Sequence, residues 1–198
     1  MSTWYFVRHG QSIANRDGWL AGWVDARLSP LGVDQCQRLQ HQIKMLSIQQ
    51  VYASDLSRAY RTAQIITENQ HAEVQQVSFL RERSMGIWEG RTRKEAFSNG
   101  RRTLFLSWTG CPQDGENRHE VAQRILHGLV ELKSTGNTLL VAHGTALGCI
   151  LGLLDETPLD QIGYNPMPNA TLFSREVAPN TWQRLLAQLT KGENHGQA

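Results

Sequence analysis

Trp4-Tyr5-Phe6-Val7-Arg8-His9-Gly10-Gln11-Ser12-Ile13-Ala14-Asn15 opens with a short apolar run and stops at a charged pair. Aromatic and β-branched residues in succession predict a buried strand. Arg8 and His9 stand where a core strand must end. Thr138-Leu139-Leu140-Val141-Ala142 is the most apolar strand-length run, and it too ends in histidine, as His143-Gly144. In parallel sheets ligands collect at the carboxyl ends of strands. The two histidines are therefore expected to share one site.

Between these runs, strand and helix patterns alternate. Ser29-Pro30 reads as an N-cap followed by proline at the first helical position. Leu31, Cys36, Leu39, Ile43 and Leu46 then predict a helix over about 30–46. Val51-Tyr52-Ala53 reads as a strand. Asp55 is placed to cap a helix carrying Leu56, Ala59, Ala63 and Ile66, with Ser54 and Ser57 assisting. Val77–Leu80 reads as a third strand. Val121, Ile125, Leu129 and Leu132 mark another helix. The segments 171–174 and 181–187 read as edge strands or a hairpin. Residues 84–117 lack periodicity and are rich in glycine, which predicts short helices and loops forming a small cap. The expectation is an α/β fold, a three-layer sandwich with a mostly parallel central sheet flanked by helices. One domain covers 1–190, followed by a polar tail over 191–198.

Composition narrows the function classes. The chain has 198 residues and a formal charge of +2, a balance that argues against a dedicated nucleic-acid binder. Arginine supplies 16 of the 20 basic residues and lysine 4. Arginine grips carboxylates and phosphates with a planar fork. The cysteines at 36, 111 and 149 are scattered and form no CxxC, so neither a disulfide framework nor a structural zinc site is expected. The longest apolar run is far shorter than the roughly 20 residues of a membrane span, and residues 1–7 lack a basic leader. The expectation is a cytoplasmic protein with no membrane or nucleic-acid partner, acting on a small phosphorylated substrate, with a homodimer possible.

Four motifs follow one another: Arg8-His9-Gly10, Ser54-Asp55-Leu56-Ser57-Arg58-Ala59, Leu80-Arg81-Glu82 leading to Gly86-Ile87-Trp88-Glu89-Gly90, and Val141-Ala142-His143-Gly144. Together they resemble the histidine phosphatase superfamily, in the branch of cofactor-dependent phosphoglycerate mutase and small bacterial phosphatases. Pro168-Asn169-Ala170-Thr171 is a weaker echo. The resemblance implies that His9 becomes phosphorylated. It implies that Glu82 protonates the leaving oxygen and then takes a proton from the attacking water. Such a carboxyl must be protonated when substrate is bound, which a neighbouring phosphate dianion favours.

Charge chemistry points the same way. Phosphoryl transfer is mainly positioning and electrostatic stabilisation of the nonbridging oxygens. Arg8 and Arg58 supply fixed forks, and Arg58 lies near a helix N-terminus. His143, if protonated, adds a charged donor. Asn15 and Gly144 complete the expected phosphate site, with capping of a turn the other reading of Asn15. Gly10 is expected to let the backbone approach the phosphate. Glu89 reads as structural, and Gln11 and Ser12 as possible lining. His41, His71, His119, His127 and His195 read as surface residues. Trp88, Phe97, Phe105 and Trp108 either line an apolar pocket or pack a subdomain. Arg81, Arg83, Arg91, Arg101 and Arg102 either extend a positive field or form a solvated face.

No cofactor and no metal are expected, because two arginines and a histidine already neutralise the phosphoryl oxygens. A zinc site of His9, His143 and Glu82 is disfavoured by the flanking Arg8 and Arg58. The stretch between Glu82 and His143 is short beside the insertion of mutases, so the resemblance implies a metal-independent phosphomonoesterase. Its relatives include broad-specificity phosphatases and α-ribazole 5′-phosphate phosphatase. Mutase-type phosphoryl transfer is the alternative, since Arg101-Arg102 echoes the paired arginines that hold the glycerate carboxylate. A protein phosphatase or a non-catalytic phosphate-binding protein comes next. Pseudoenzymes are expected to lose His9 or Glu82, and both are present.

Overall fold

A computed structural model describes residues 1–132, 134–163 and 167–193, with side chains to residue 191. In chain order the elements are β1 (Ser2–Arg8), α1 (Ile13–Asp17), α2 (Pro30–Ile43), β2 (Gln50–Ser54), α3 (Ser57–Ile66) and β3 (Val74–Val77). Two 3₁₀ turns, α4 (Arg93–Ala96) and α5 (Arg102–Leu106) follow. The chain continues through α6 (Arg118–Glu131), β4 (Thr138–Ala142), α7 (Gly144–Leu154), β5 (Leu172–Val177) and α8 (Thr181–Glu193).

The five strands form one sheet in the order β3-β2-β4-β1-β5. All neighbours are parallel except β1 and β5. The expected α/β sandwich is therefore present, with β5 as its antiparallel edge. β4 lies in the middle and every residue of it is buried. Its alternation feeds two cores. Leu139 and Val141 face α2 and α3 with Val7, Val51 and Ala53. Leu140 and Ala142 face α6, α7 and α8 with Trp4 and Phe6. Burial on both faces explains why the strand reads as an unbroken apolar run.

Three local expectations fail for identifiable reasons. Val77–Leu80 is not a strand: β3 ends at Val77, and Ser78–Leu80 is a 3₁₀ turn. The apolar signal there came from Leu80, which plugs the core from that turn. Segment 181–187 is helical. Trp182, Leu185 and Leu189 lie at helical spacing and are buried, with Trp182 edge-on to Trp4 at 5.0 Å. The helix also takes up 191–193 of the supposed tail, while 194–198, His195 included, lie outside the described residues. Asp55 does not cap α3. The N-cap residue is Leu56, without a side-chain cap, and Asp55 instead pairs with Arg81 at 2.6 Å. The amide of Ser57 donates to Asp25 Oδ1 at 2.9 Å. The Ser29-Pro30 start is as read, with Ser29 Oγ accepting from the Gly32 amide at 3.0 Å.

Gly10 meets a packing demand besides the one expected. A Cβ there would lie 2.5 Å from the Gly32 carbonyl oxygen and 2.7 Å from Cys36 Sγ. The missing side chain lets the chain after β1 press against the first turn of α2. Gly32 is the reciprocal half, since a Cβ on it would lie 2.0 Å from the Gln11 carbonyl oxygen. Backbone cannot yield cheaply, so Gly32→Ala is expected to destabilise the fold by about 2 kcal/mol, read as a lower urea midpoint. An unchanged midpoint would mean that this close approach is not required.

Candidate active site

β1 and β4 are paired in parallel, with Arg8 opposite Ala142. The next residue of each strand is a histidine. The His9 amide donates to the Ala142 carbonyl at 3.0 Å, and the His9 and His143 rings stand 5.1 Å apart. Both rings are almost fully buried.

The hydrogen bonds fix the two tautomers. His9 Nδ1 lies 2.6 Å from the Gly10 carbonyl oxygen. A carbonyl only accepts, so Nδ1 carries the proton and Nε2 keeps its lone pair. Burial and the charges of Arg58 and Arg8 push the His9 pKa well below its ordinary value. The ring is thus neutral, with a lone pair on Nε2. His143 Nε2 lies 2.9 Å from Ser54 Oγ, and Ser54 Oγ also accepts the Leu56 amide at 3.3 Å. The hydroxyl proton can then be given to Nε2, leaving Nδ1–H as the donor. Among the described residues that buried Nδ1 has no protein partner. Burial, then Arg58 and the neighbouring His9, push the His143 pKa well down as well.

Arg58 sits in the first turn of α3 and is fully buried. It donates to the carbonyls of Gly22 at 2.8 Å and Val24 at 3.2 Å, which fixes the guanidinium against a loop. Arg8 donates to the Met167 carbonyl, and its buried Nε has no protein partner among the described residues. Burial lowers both arginine pKa values, and Glu82 opposes that shift in each.

Glu82 docks its carboxyl on the N-terminus of α7. Oε1 accepts from the amides of Thr145 at 3.1 Å and Ala146 at 3.3 Å, and from Arg83 at 2.9 Å. His143 is the N-cap residue of α7 and offers no side-chain cap, so the carboxyl takes over that work. Asn15 closes α1 in a capping box with Ser12. Its Oδ1 also accepts from Asn169 Nδ2 at 3.2 Å, which leaves its amide Nδ2 as donor. Asn169 further donates to the His9 carbonyl at 2.9 Å. All of Arg8, His9, Ser12, Asn15, Arg58, Glu82 and Gly144 line one cleft of about 450 Å³.

The rest of the cleft was only partly legible. Arg93, Arg102 and Arg118 line it as well, and of the three only Arg102 belonged to the expected basic group. Arg118 is buried, with an Nε that has no protein partner among the described residues. Arg83 is neither solvated nor part of the field. It is buried and donates to the carbonyls of Phe105, Gly110 and Glu116, and burial pushes its pKa down to about 10. Arg81 pairs with Asp55, while Arg91 and Arg101 lie over the Trp88 ring. The aromatic residues divide: Phe97 lines the cleft, Trp88 and Phe105 pack the cap, and Trp108 belongs to the main core. Glu89 is structural as read, accepting from the amides of Trp23 and Met85. Gln11 turns away toward Ser29. His41, His71 and His127 are exposed, whereas His119 is half-buried beside Trp108 at 6.1 Å. Among the described residues no three His, Cys, Asp or Glu side chains are grouped to hold a metal ion.

The family model for the histidine phosphatase superfamily, branch 1, matches residues 4–190. The chain belongs to that superfamily. It is 34% identical over 157 residues to a Citrobacter koseri protein named "Probable phosphoglycerate mutase GpmB", covering 76% of this chain and 73% of the relative. It is 32% identical over 179 residues to "Putative phosphoserine phosphatase 2" of Hydrogenobacter thermophilus, covering 86% and 87% of the two chains. Among solved structures, mycobacterial glucosyl-3-phosphoglycerate phosphatase superposes with a TM-score of 0.81 at 27% identity, covering 88% of this chain and 92% of that one. The chain is thus a phosphatase or phosphoryl-transfer enzyme by family.

Both histidines are held neutral in the fold, so protons bind the unfolded chain more readily. Their contribution to stability is complete above the ordinary histidine pKa of about 6.5 and is lost as pH falls below it. The loss is expected to reach about 1.4 kcal/mol per pH unit for each ring. Urea melts from pH 7 to 5 are expected to fall steeply for the wild type and more gently for a His9→Asn, His143→Asn double variant. Parallel curves would contradict the burial of neutral rings.

Proposed function

We propose that this enzyme hydrolyses a small phosphomonoester bearing a second anionic group, through a phosphohistidine on His9. The observation that carries the reading is the Nδ1–H bond of His9 to the Gly10 carbonyl, which presents Nε2 as a lone pair beside Arg8, Arg58 and His143. The phosphoryl oxygens are held by Arg8, Arg58, His143 Nδ1–H and the amide of Asn15. His9 Nε2 attacks phosphorus, the ester oxygen leaves, and Glu82 gives that oxygen its proton. Water then attacks the phosphohistidine, Glu82 takes the water proton, and inorganic phosphate departs. No metal is assigned to either step. The dianion draws a proton onto His143, reversing the preference of the empty site.

Arg93, Arg102 and Arg118 support the second anionic group, because Arg8, Arg58 and His143 already match the phosphoryl charge. This favours a phosphorylated hydroxy or amino acid over α-ribazole 5′-phosphate, whose nucleoside end carries no acid. A second reading, phosphoryl transfer of mutase type, is favoured by the same arginines and by the relatives named phosphoglycerate mutase.

The test is hydrolysis of p-nitrophenyl phosphate and of O-phosphoserine in excess EDTA. Wild type is expected to turn over both, and His9→Ala to lose on the order of 10³-fold on each. Arg102→Gln is expected to raise the KM for O-phosphoserine about tenfold and to leave p-nitrophenyl phosphate unchanged. Activity abolished by EDTA would overturn the mechanism. Interconversion of 2- and 3-phosphoglycerate without phosphate release would establish the mutase reading instead.

A further inference from the structure

The loop between α1 and α2 carries an exposed tryptophan whose placement the chemistry above does not use. Trp23 is 39% exposed, an unusual cost for an indole. Its Nε1 donates to the backbone carbonyl of Glu82 at 2.7 Å, and its own amide donates to Glu89 Oε1 at 3.0 Å. The guanidinium groups of Arg81 and Arg124 lie against its ring, 5.1 and 5.8 Å from the centroid. Arg124 reaches the same Glu82 carbonyl at 3.3 Å and pairs with Glu116 at 2.8 Å. The flanking carbonyls of Gly22 and Val24 are the ones that hold Arg58. Gly22 has φ +50°, and a Cβ on it would lie 2.2 Å from Glu89 Oε1, so the loop is seated closely at this point.

We infer that Trp23 is a positioning residue for the general acid, tying the backbone of Glu82 to the loop that fixes Arg58. The inference rests on the proposed role of Glu82. The reason is a difference between two protonation states. As a carboxylate, Glu82 is anchored by charge-assisted bonds to the amides of Thr145 and Ala146. As the neutral acid it accepts those bonds more weakly. The anchor that does not depend on its charge is the clamp on its backbone carbonyl, made by Trp23 and Arg124. The proton is delivered from the neutral form, so the clamp acts when delivery requires it. The same loop carries the position of Arg58, so phosphate and acid keep a common frame.

The experiment compares wild type, Trp23→Phe and Glu82→Gln on two esters in EDTA, reading kcat/KM. p-Nitrophenyl phosphate has a leaving group that departs without a proton, whereas glycerol 2-phosphate needs one. Phenylalanine keeps an aromatic ring for Arg81 and Arg124, is smaller than the indole and lacks its N–H. Trp23→Phe is expected to lower kcat/KM for glycerol 2-phosphate about tenfold and for p-nitrophenyl phosphate less than about twofold. Glu82→Gln is expected to show the same selectivity with a larger loss. The ratio of the two esters is taken within each preparation, so any loss of folded protein cancels. Equal losses on both esters in Trp23→Phe, or none on either, would overturn the inference while a selective Glu82→Gln leaves the role of Glu82 standing. A Glu82→Gln variant without selectivity would overturn that role, and the inference with it.

Discussion

The parallel pairing of β1 with β4 is the constraint on which the rest depends. It is made by apolar side chains on both faces of a central strand, and it has no choice of register once those faces are buried. Its consequence appears one residue beyond the last pair. Two histidines leave adjacent strands at the same level, and their rings stand face to edge. Two arginines are then arranged around that pair: Arg8 from the end of β1 and Arg58 from the first turn of α3.

Such a site is electrostatically one-sided. The Arg58 guanidinium and two imidazoles are buried beside the half-buried Arg8, and Glu82 is the near carboxylate. The protein limits the cost by keeping both imidazoles neutral and by occupying part of each guanidinium with backbone carbonyls. Other donors, Arg8 Nε and His143 Nδ1, are left buried without a protein partner among the described residues. A phosphoryl group supplies the acceptors and the negative charge at once. In the proposed mechanism it also restores the charge on His143 as it binds. In that mechanism the neutral, tautomer-fixed His9 gives chemistry rather than affinity alone.

The sheet was legible because its strands are either fully buried or end in charge, and both leave plain signals. The five central residues His9, His143, Arg8, Arg58 and Glu82 were legible because short motifs bring them in order to the strand ends, and the fold does bring them together. Signals whose meaning depends on a distant partner were not. Ser54 was taken as a helix cap, but its hydroxyl orients His143, and nothing within the sequence around it names that ring. Arg93 and Arg118 drew no reading from the sequence, yet both line the cleft. Arg83 looked solvated, although three carbonyls of the cap close on it. The close approach of Gly10 to α2 left no signal either. Trp182, Leu185 and Leu189 have helical spacing, but the short window 181–187 holds only the first two.

The most direct test of the central claim is to catch the covalent state. Wild-type enzyme mixed with excess p-nitrophenyl phosphate is quenched in base within one turnover, digested and analysed by mass spectrometry. A single phosphoryl adduct on the peptide bearing His9, stable in base and lost in acid, is the predicted result. Full turnover with no such adduct, while a Glu82→Gln variant that slows its breakdown also shows none, would mean that water attacks the substrate directly and that His9 is not the nucleophile.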